Sequence, residues 1–360
     1  MKKAIKIISR ILIYTVIASL LLFTAQSLLV PKYQVGIMEG SMMHEYYDSD
    51  MPHEVLFIGD CEVYENISTV KLYQEYGISS YIRGSAQQLA WQSYYILEDT
   101  LRYETPKVVV YNVLALKYDE PQHESYNRMT LDGLRWSSSK WNAIEASMTQ
   151  NEHMIDYIFP ILRYHDRWKD LKPSDFEFWF HRNTNTFNGY YMRVDSLPER
   201  NFPSGTNVDR PALGREPMMW LNRMYELCRE NGIELVLMKA PTLYPQWYPQ
   251  WDRQIIEFAN ERDIDYFNYI YKREEIGLDM TVDTYDGGLH LNLTGAEKMA
   301  SYIGSYLDSA YDLTDYRLDP EVSAKWDDVI AAYNELAAAQ YAELEEYGEL
   351  RSWGVNALEE

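Results

Sequence analysis

The chain has 360 residues, 46% of them apolar, so a substantial core is expected and wholesale disorder is not. Lys plus Arg number 33 and Asp plus Glu 55, giving 33 − 55 = −22, a charge that repels phosphate backbones and argues against nucleic-acid partners. The two cysteines, Cys61 and Cys228, exclude a disulfide scaffold and a cysteine-cluster zinc site.

Met1 to Arg10 carries Lys2, Lys3, Lys6 and Arg10 and no acidic residue, and Ile11 to Val30 is apolar. Twenty helical residues span about 30 Å, the hydrocarbon thickness of a bilayer. The basic flank predicts a cytoplasmic N-terminus, with the rest of the chain outside. An uncleaved anchor over 1–30 is expected rather than a cleaved signal peptide. The apolar run is long, and Phe23-Thr24-Ala25 puts a bulky residue where cleavage wants a small one. The expected location is the cell membrane, single-pass, with the globular part extracytoplasmic.

Residues 31–53 read as a polar stalk. Glu54 to Ile58 is an apolar run stopped by Gly59-Asp60, which predicts a buried strand. Ser68 to Gly77 has a capping serine and a terminal glycine, hence a short helix. Ser79 to Arg83 predicts a second strand ending at Gly84, Gln88 to Tyr103 a helix, and Lys107 to Val113 a central, β-branched third strand. Between about 116 and 212 the rhythm breaks into an irregular, partly helical insertion. It resumes with a helix over Glu216 to Asn231, whose Met218, Leu221, Tyr225 and Cys228 share a face. A strand over Ile233 to Met238, a helix over Trp251 to Arg262, a strand over Asp265 to Asn268 and a closing helix over Gly295 to Tyr311 follow. This alternation predicts an α/β fold with a doubly wound parallel sheet over 54–312. Residues 313–360 form an acidic helical tail, expected to pack along the domain, with a partner-binding helix as the alternative.

In such sheets the site lies at the carboxyl ends of the strands. There the sequence places Gly59-Asp60-Cys61, Gly84 and Asn112 after the first three strands. The segment YDGGLHLNLTGAEKMA, residues 285–300, comes before the last helix. Singly, each has an ordinary explanation: turn chemistry, a small core cysteine, a structural histidine. Together and in this order they resemble the SGNH/GDSL hydrolase superfamily, which has a nucleophile turn, a glycine, an asparagine and a late Asp-x-x-His. The His-Leu-Asn-x-x-Gly run resembles that of membrane-anchored members acting on cell-envelope polymers. The resemblance implies a flavodoxin-like three-layer sandwich over about 54–312.

It also implies that Cys61, in the serine's place, attacks an acyl carbonyl. His290 would relay the proton and Asp286 orient the ring, while Gly84 and Asn112, with the Cys61 N–H, form an oxyanion hole. Three features depart from the family pattern. The nucleophile is a thiol, the asparagine block is reduced to Tyr111-Asn112-Val113, and Asp286 precedes His290 by four residues. Asp283 is the substitute should the longer spacing turn Asp286 away. Trp247 and Trp251, near the same rim, are candidate sugar-stacking residues. No glycine-rich phosphate loop, HExxH or EF-hand loop occurs, so no cofactor and no metal is expected. The expected partners are a cell-envelope polysaccharide or acylated polymer, the membrane, and a membrane acyltransferase. A second expectation, motivated by the departures, is an inactive binding or assembly module of an envelope acylation system.

Overall fold

The computed structural model describes residues 2–351 except 32, 35–36, 39–40, 178, 181–183, 185, 201–209 and 245. Parts of the expected stalk and insertion, Pro245 of the tryptophan segment and residues 352–360 of the tail therefore lie outside the described residues. The chain begins with helix α1 (Lys2–Leu29). Five strands, β1 (Val55–Gly59), β2 (Ser80–Gly84), β3 (Val108–Asn112), β4 (Glu234–Lys239) and β5 (Tyr266–Asn268), form one sheet in the order β2-β1-β3-β4-β5. Every neighbouring pair is parallel, with Gly59 opposite Gly84 and Asn112 opposite Met238. The order reverses between β1 and β3, so the crevice at their carboxyl ends is the fold's natural site.

Both faces of the sheet are buried, which is why the strands read as continuous apolar runs. Val55, Phe57, Val108, Val110, Val236 and Met238 point into one core, against helices α3 (Thr69–Tyr76) and α7 (Leu293–Ala310). Leu56, Ile58, Val109, Tyr111, Leu235 and Leu237 point into the other, against α4 (Ala90–Thr100), α5 (Arg215–Glu230) and α6 (Pro249–Arg262). A one-turn helix, α2 (Cys61–Tyr64), follows β1 directly. The Ser68 hydroxyl accepts from the Lys71 N–H, and Gly77 closes α3 at φ +70°. The buried face of α5 is Trp220, Leu221, Met224 and Cys228, rotated slightly from the expected one.

Two segments differ from the expectation. The described part of 41–53 is no free stalk. Met42, Met43 and Tyr46 are buried, Tyr46 donates to Glu104 at 2.8 Å, and His53 Nδ1 meets the same carboxylate at 2.9 Å. The insertion returns to the sheet, where the Ile82 N–H donates to Asn188 O at 2.9 Å and the Asn188 amide to Ser80 O at 3.1 Å. It thereby covers the β2 edge. Gly189, at φ +85°, permits this approach, since a Cβ there would lie 2.0 Å from the Ile82 oxygen. The chain after residue 312 stays on the domain. Helix α8 (Pro320–Tyr347) lies along the domain, with Trp326 fully buried and stacked on Tyr73 at 4.5 Å and 7°.

Helix α1, about 42 Å at 1.5 Å per residue, is long and apolar enough to cross a membrane. Ile5 to Phe23 stands clear of the domain, and only the last turn is covered, with Leu29 buried. Nη1 of Arg167 donates to the carbonyls of Leu28, Leu29 and Val30 at 3.1–3.3 Å. These are carbonyls that a helix end leaves without intrahelical partners.

Candidate functional site

Strand β1 ends at Gly59, which packs against Asn112 so closely that a Cβ would lie 3.0 Å from the Asn112 Cβ. The chain then turns into α2. Asp60 caps this helix, accepting from the Glu62 N–H at 3.2 Å. Cys61 is its first residue, so its N–H has no intrahelical acceptor. Gly84 sits directly across, where a Cβ would strike Val63 Cγ2 at 2.7 Å and approach the Asp60 oxygen at 3.3 Å. Both glycines exist to let the β1–α2 turn sit flush on its neighbours.

His290 arrives from the loop before α7. The Asp286 Oδ1 accepts from the His290 N–H at 2.9 Å and the Leu289 N–H at 3.2 Å, which folds the four-residue spacing into a tight turn. Its Oδ2 lies 2.6 Å from His290 Nδ1. The extra residue therefore does not turn the carboxylate away. Asp283, the substitute, is engaged elsewhere, by Lys298 at 2.6 Å and Thr294 at 2.8 Å. The His290 Nε2 is buried and has no hydrogen-bond partner. It lies within electrostatic reach of Cys61, and the two shift one another. Burial pushes the Cys61 thiol up to about 11, and the pull of His290 only partly offsets this. Burial works against the His290 imidazolium, but Glu65, Cys61 and Asp286 raise it well above the usual value.

Glu65 was not anticipated. It lies four residues after Cys61, hence on the same helical face, and its Oε2 is 3.5 Å from His290 Nδ1. It is buried and accepts from the Tyr285 hydroxyl, and burial raises its carboxyl. The Tyr285 ring stacks beside the imidazole at 5.9 Å and 17°. Two carboxylates thus face one ring nitrogen. The insertion supplies the outer wall, since the Tyr191 N–H donates to Tyr64 O at 2.8 Å and the Leu293 N–H to Arg193 O at 2.6 Å.

Asn112 has another task than the expected one. Its Nδ2 donates to Asp60 Oδ1 at 3.0 Å and to Glu62 Oε2 at 2.9 Å, and its Oδ1 accepts from the Ala240 N–H at 3.1 Å. Both amide hydrogens are spent on carboxylates, so none is left for an oxyanion. Glu62 is wholly buried and paired with Lys239 at 2.8 Å, also wholly buried, and with the Thr242 hydroxyl at 2.7 Å. Beneath Cys61 there is therefore a closed polar knot of Asp60, Glu62, Asn112, Lys239 and Thr242. Burial, then the charge of Glu62, raise the Asp60 carboxyl. Lys117, half-buried just past β3, is pushed down by burial and pulled up by Asp60, Glu62 and Cys61, so its ammonium is the nearby cation facing that knot. A lysine ending the apolar run of β4 is the sequence signal for Lys239.

The two tryptophans present no open platform. Trp247 is buried, with its indole N–H on Asp252 at 3.2 Å. Trp251 is half-buried, packs edge-on against Trp247 and Tyr248, and donates to Arg210 O at 2.9 Å. Among the described residues no group of three or more His, Cys, Asp or Glu side chains is arranged to hold a metal ion.

No family model matches the chain, and no curated protein is similar to it at a significant level. A crystal structure of a GDSL-like lipase from Bacteroides thetaiotaomicron is similar over 75% of this chain and 97% of its own length, at 13% identity and a TM-score of 0.35.

Proposed function

We propose that the protein is a membrane-anchored, extracytoplasmic acyl-ester hydrolase or acyltransferase acting through Cys61. The observation that carries this reading is the buried His290, with Nδ1 held 2.6 Å from Asp286 and an unpartnered Nε2 beside the thiol. His290 takes the thiol proton as sulfur bonds to the acyl carbon. It then gives the proton to the departing alkoxide, leaving a thioester and a free alcohol. Water or a second alcohol, deprotonated by the same nitrogen, takes the acyl group and restores the thiol. The Cys61 N–H at the start of α2 and the Gly84 backbone are the oxyanion donors in this reading, without the Asn112 side chain. The basic flank of α1 supports an outward-facing domain. The resemblance to envelope-acting hydrolases supports acetyl-type esters of cell-envelope glycans as substrates, with a membrane acyltransferase as a partner.

The test is turnover of an aryl acetate and of acetylated glycan by the full chain, with intact-mass detection of an acyl adduct on Cys61. Turnover lost in Cys61→Ala and His290→Ala supports the proposal. Neither turnover nor adduct, under conditions where iodoacetamide reaches Cys61, ends it. A second reading, an inactive binding module, is favoured by one observation: the spent amide of Asn112. It predicts polymer binding that survives Cys61→Ala unchanged.

A further inference from the structure

The insertion carries a patch that the site does not use. Phe159, Leu162, Trp168, Phe176, Trp179 and Phe180 are 38–78% exposed, all within the stretch from Met154 to Phe180. Large side chains are exposed elsewhere too, Trp136, Trp141, Tyr271 and Leu318 among them, but these six crowd into 27 residues of chain. The patch is also spared the acidity of the rest of the chain. From 154 to 180 there are four Lys and Arg against five Asp and Glu, 4 − 5 = −1, within a molecule of net charge −22.

Its position gives the patch a meaning. The helix Ile161–Tyr164 and the turn His165–Lys169 pack beside the end of α1. Arg167 from that turn donates to the last three carbonyls there. Asp175, buried, holds the same guanidinium at 2.6 Å. Trp168 and Phe176 thus flank the two residues of the clamp that fixes the insertion to the helix end. About twenty residues of α1 fill a hydrocarbon layer, which puts its last turn, and everything clamped to it, at headgroup depth. Aromatic side chains prefer that depth, with the ring in the acyl boundary and polar edges in water.

We infer that this part of the insertion is a membrane foot, which seats the exposed rings of Phe159, Trp168, Phe176, Trp179 and Phe180 in the headgroup–acyl boundary of the bilayer around the exit of α1. This rests on the reading of α1 as a membrane span. Lipid, rather than a protein, is the occupant because the segment that carries the patch packs beside the end of α1 and is clamped to it by Arg167. Its charge is near balance, so it meets a bilayer without the repulsion an acidic surface would suffer. The foot fixes the height and tilt of the domain without relying on charge.

The full chain, reconstituted into phosphatidylcholine–phosphatidylglycerol vesicles, carries a benzophenone amino acid at one position at a time. The positions are Trp168, Phe176 and Phe180 in the foot, Leu21 in α1, and Tyr271, exposed on another surface. The expected result on irradiation is lipid-mass adducts at the three foot positions, at about fivefold or more the Tyr271 yield, alongside adducts at Leu21. Adducts at Leu21 with foot yields no higher than at Tyr271 overturn the foot and leave the anchor standing. Adducts at none of the positions overturn the reading of α1, and the foot with it. Cross-links from the foot into a second protein in native membranes, in place of lipid, also overturn it and make the patch a protein-docking surface.

Discussion

Two carboxylates facing one imidazole nitrogen set the resting state of the site. Burial works against the His290 imidazolium, but Glu65 and Asp286 favour it and raise it well above the usual value, while burial pushes the thiol up to about 11, so both shifts oppose a free base beside a thiolate. A free base then appears only as pH climbs past the imidazolium. Esterase kcat/KM is therefore expected to rise on the alkaline side, and Glu65→Gln to move that limb to lower pH. A profile flat between about pH 6 and 9 would contradict this assignment. The same shift ties stability to pH. The folded chain holds a proton that the unfolded one releases, so this contribution is complete below about pH 6.5 and is lost as pH rises through the folded value. Iodoacetamide reports the thiol itself: its rate should climb toward pH 11, and His290→Ala should slow alkylation at any lower pH by removing the charge that favours thiolate. Loss of the base should cost about 100- to 10,000-fold in turnover. Cys61→Ser should retain part of the activity, because a hydroxyl can use the same base and donors. Complete loss would mean that thiolate character is essential.

The polar knot below Cys61 makes a separate prediction. Lys239→Met leaves Glu62 buried without its cation and should cost about 3–5 kcal/mol in a denaturation experiment. Asn112→Ala removes both donors that hold Asp60 and Glu62 apart and should cost about 3 kcal/mol, with kcat changed less than stability. A large fall in kcat at unchanged stability would return Asn112 to the oxyanion hole. The sequence made Cys61, His290 and Asp286 visible because each sits in a short run with recognisable turn chemistry. Glu62 reads in the sequence as an adverse charge beside the thiol, but its burial against Lys239 does not, because the two are 177 residues apart. Glu65 was within reach, at one helical turn from the thiol, but its orientation depends on Tyr285.

At the scale of elements, the strands were legible because burial on both faces leaves unbroken β-branched runs, as in Val108 to Val110. The start of the domain was not, because a short polar segment such as 41–53 looks alike whether solvated or docked. Helix α8 packs on the domain through specific contacts. Its Trp326 stacks on Tyr73 and donates to Ser79 Oγ at 3.3 Å, Tyr333 donates to Glu297 at 2.9 Å, and the Gln340 side chain donates to Met192 O and accepts from the Val194 N–H. Trp326→Ala should therefore destabilise the whole domain by about 3–5 kcal/mol, read as a lower melting temperature of the detergent-solubilised chain. A melting temperature unchanged by that substitution would favour the partner-binding helix instead.

At the scale of the molecule, protease added to intact cells should release the domain if it faces outward, and protection would reverse the proposed topology. The packing of residues 41–53 and the Arg167 clamp then have a consequence for reach. A loose stalk of 23 residues would let the domain roam by about 27 Å from its anchor. Residues 41–53, docked on the domain, shorten any such leash. A compact body of this size has a radius of gyration of about 20 Å, so its cleft patrols a shell about 50 Å deep at most. The envelope polymer of the proposed function would then have to be brought into that shell, newly exported or still tethered to lipid.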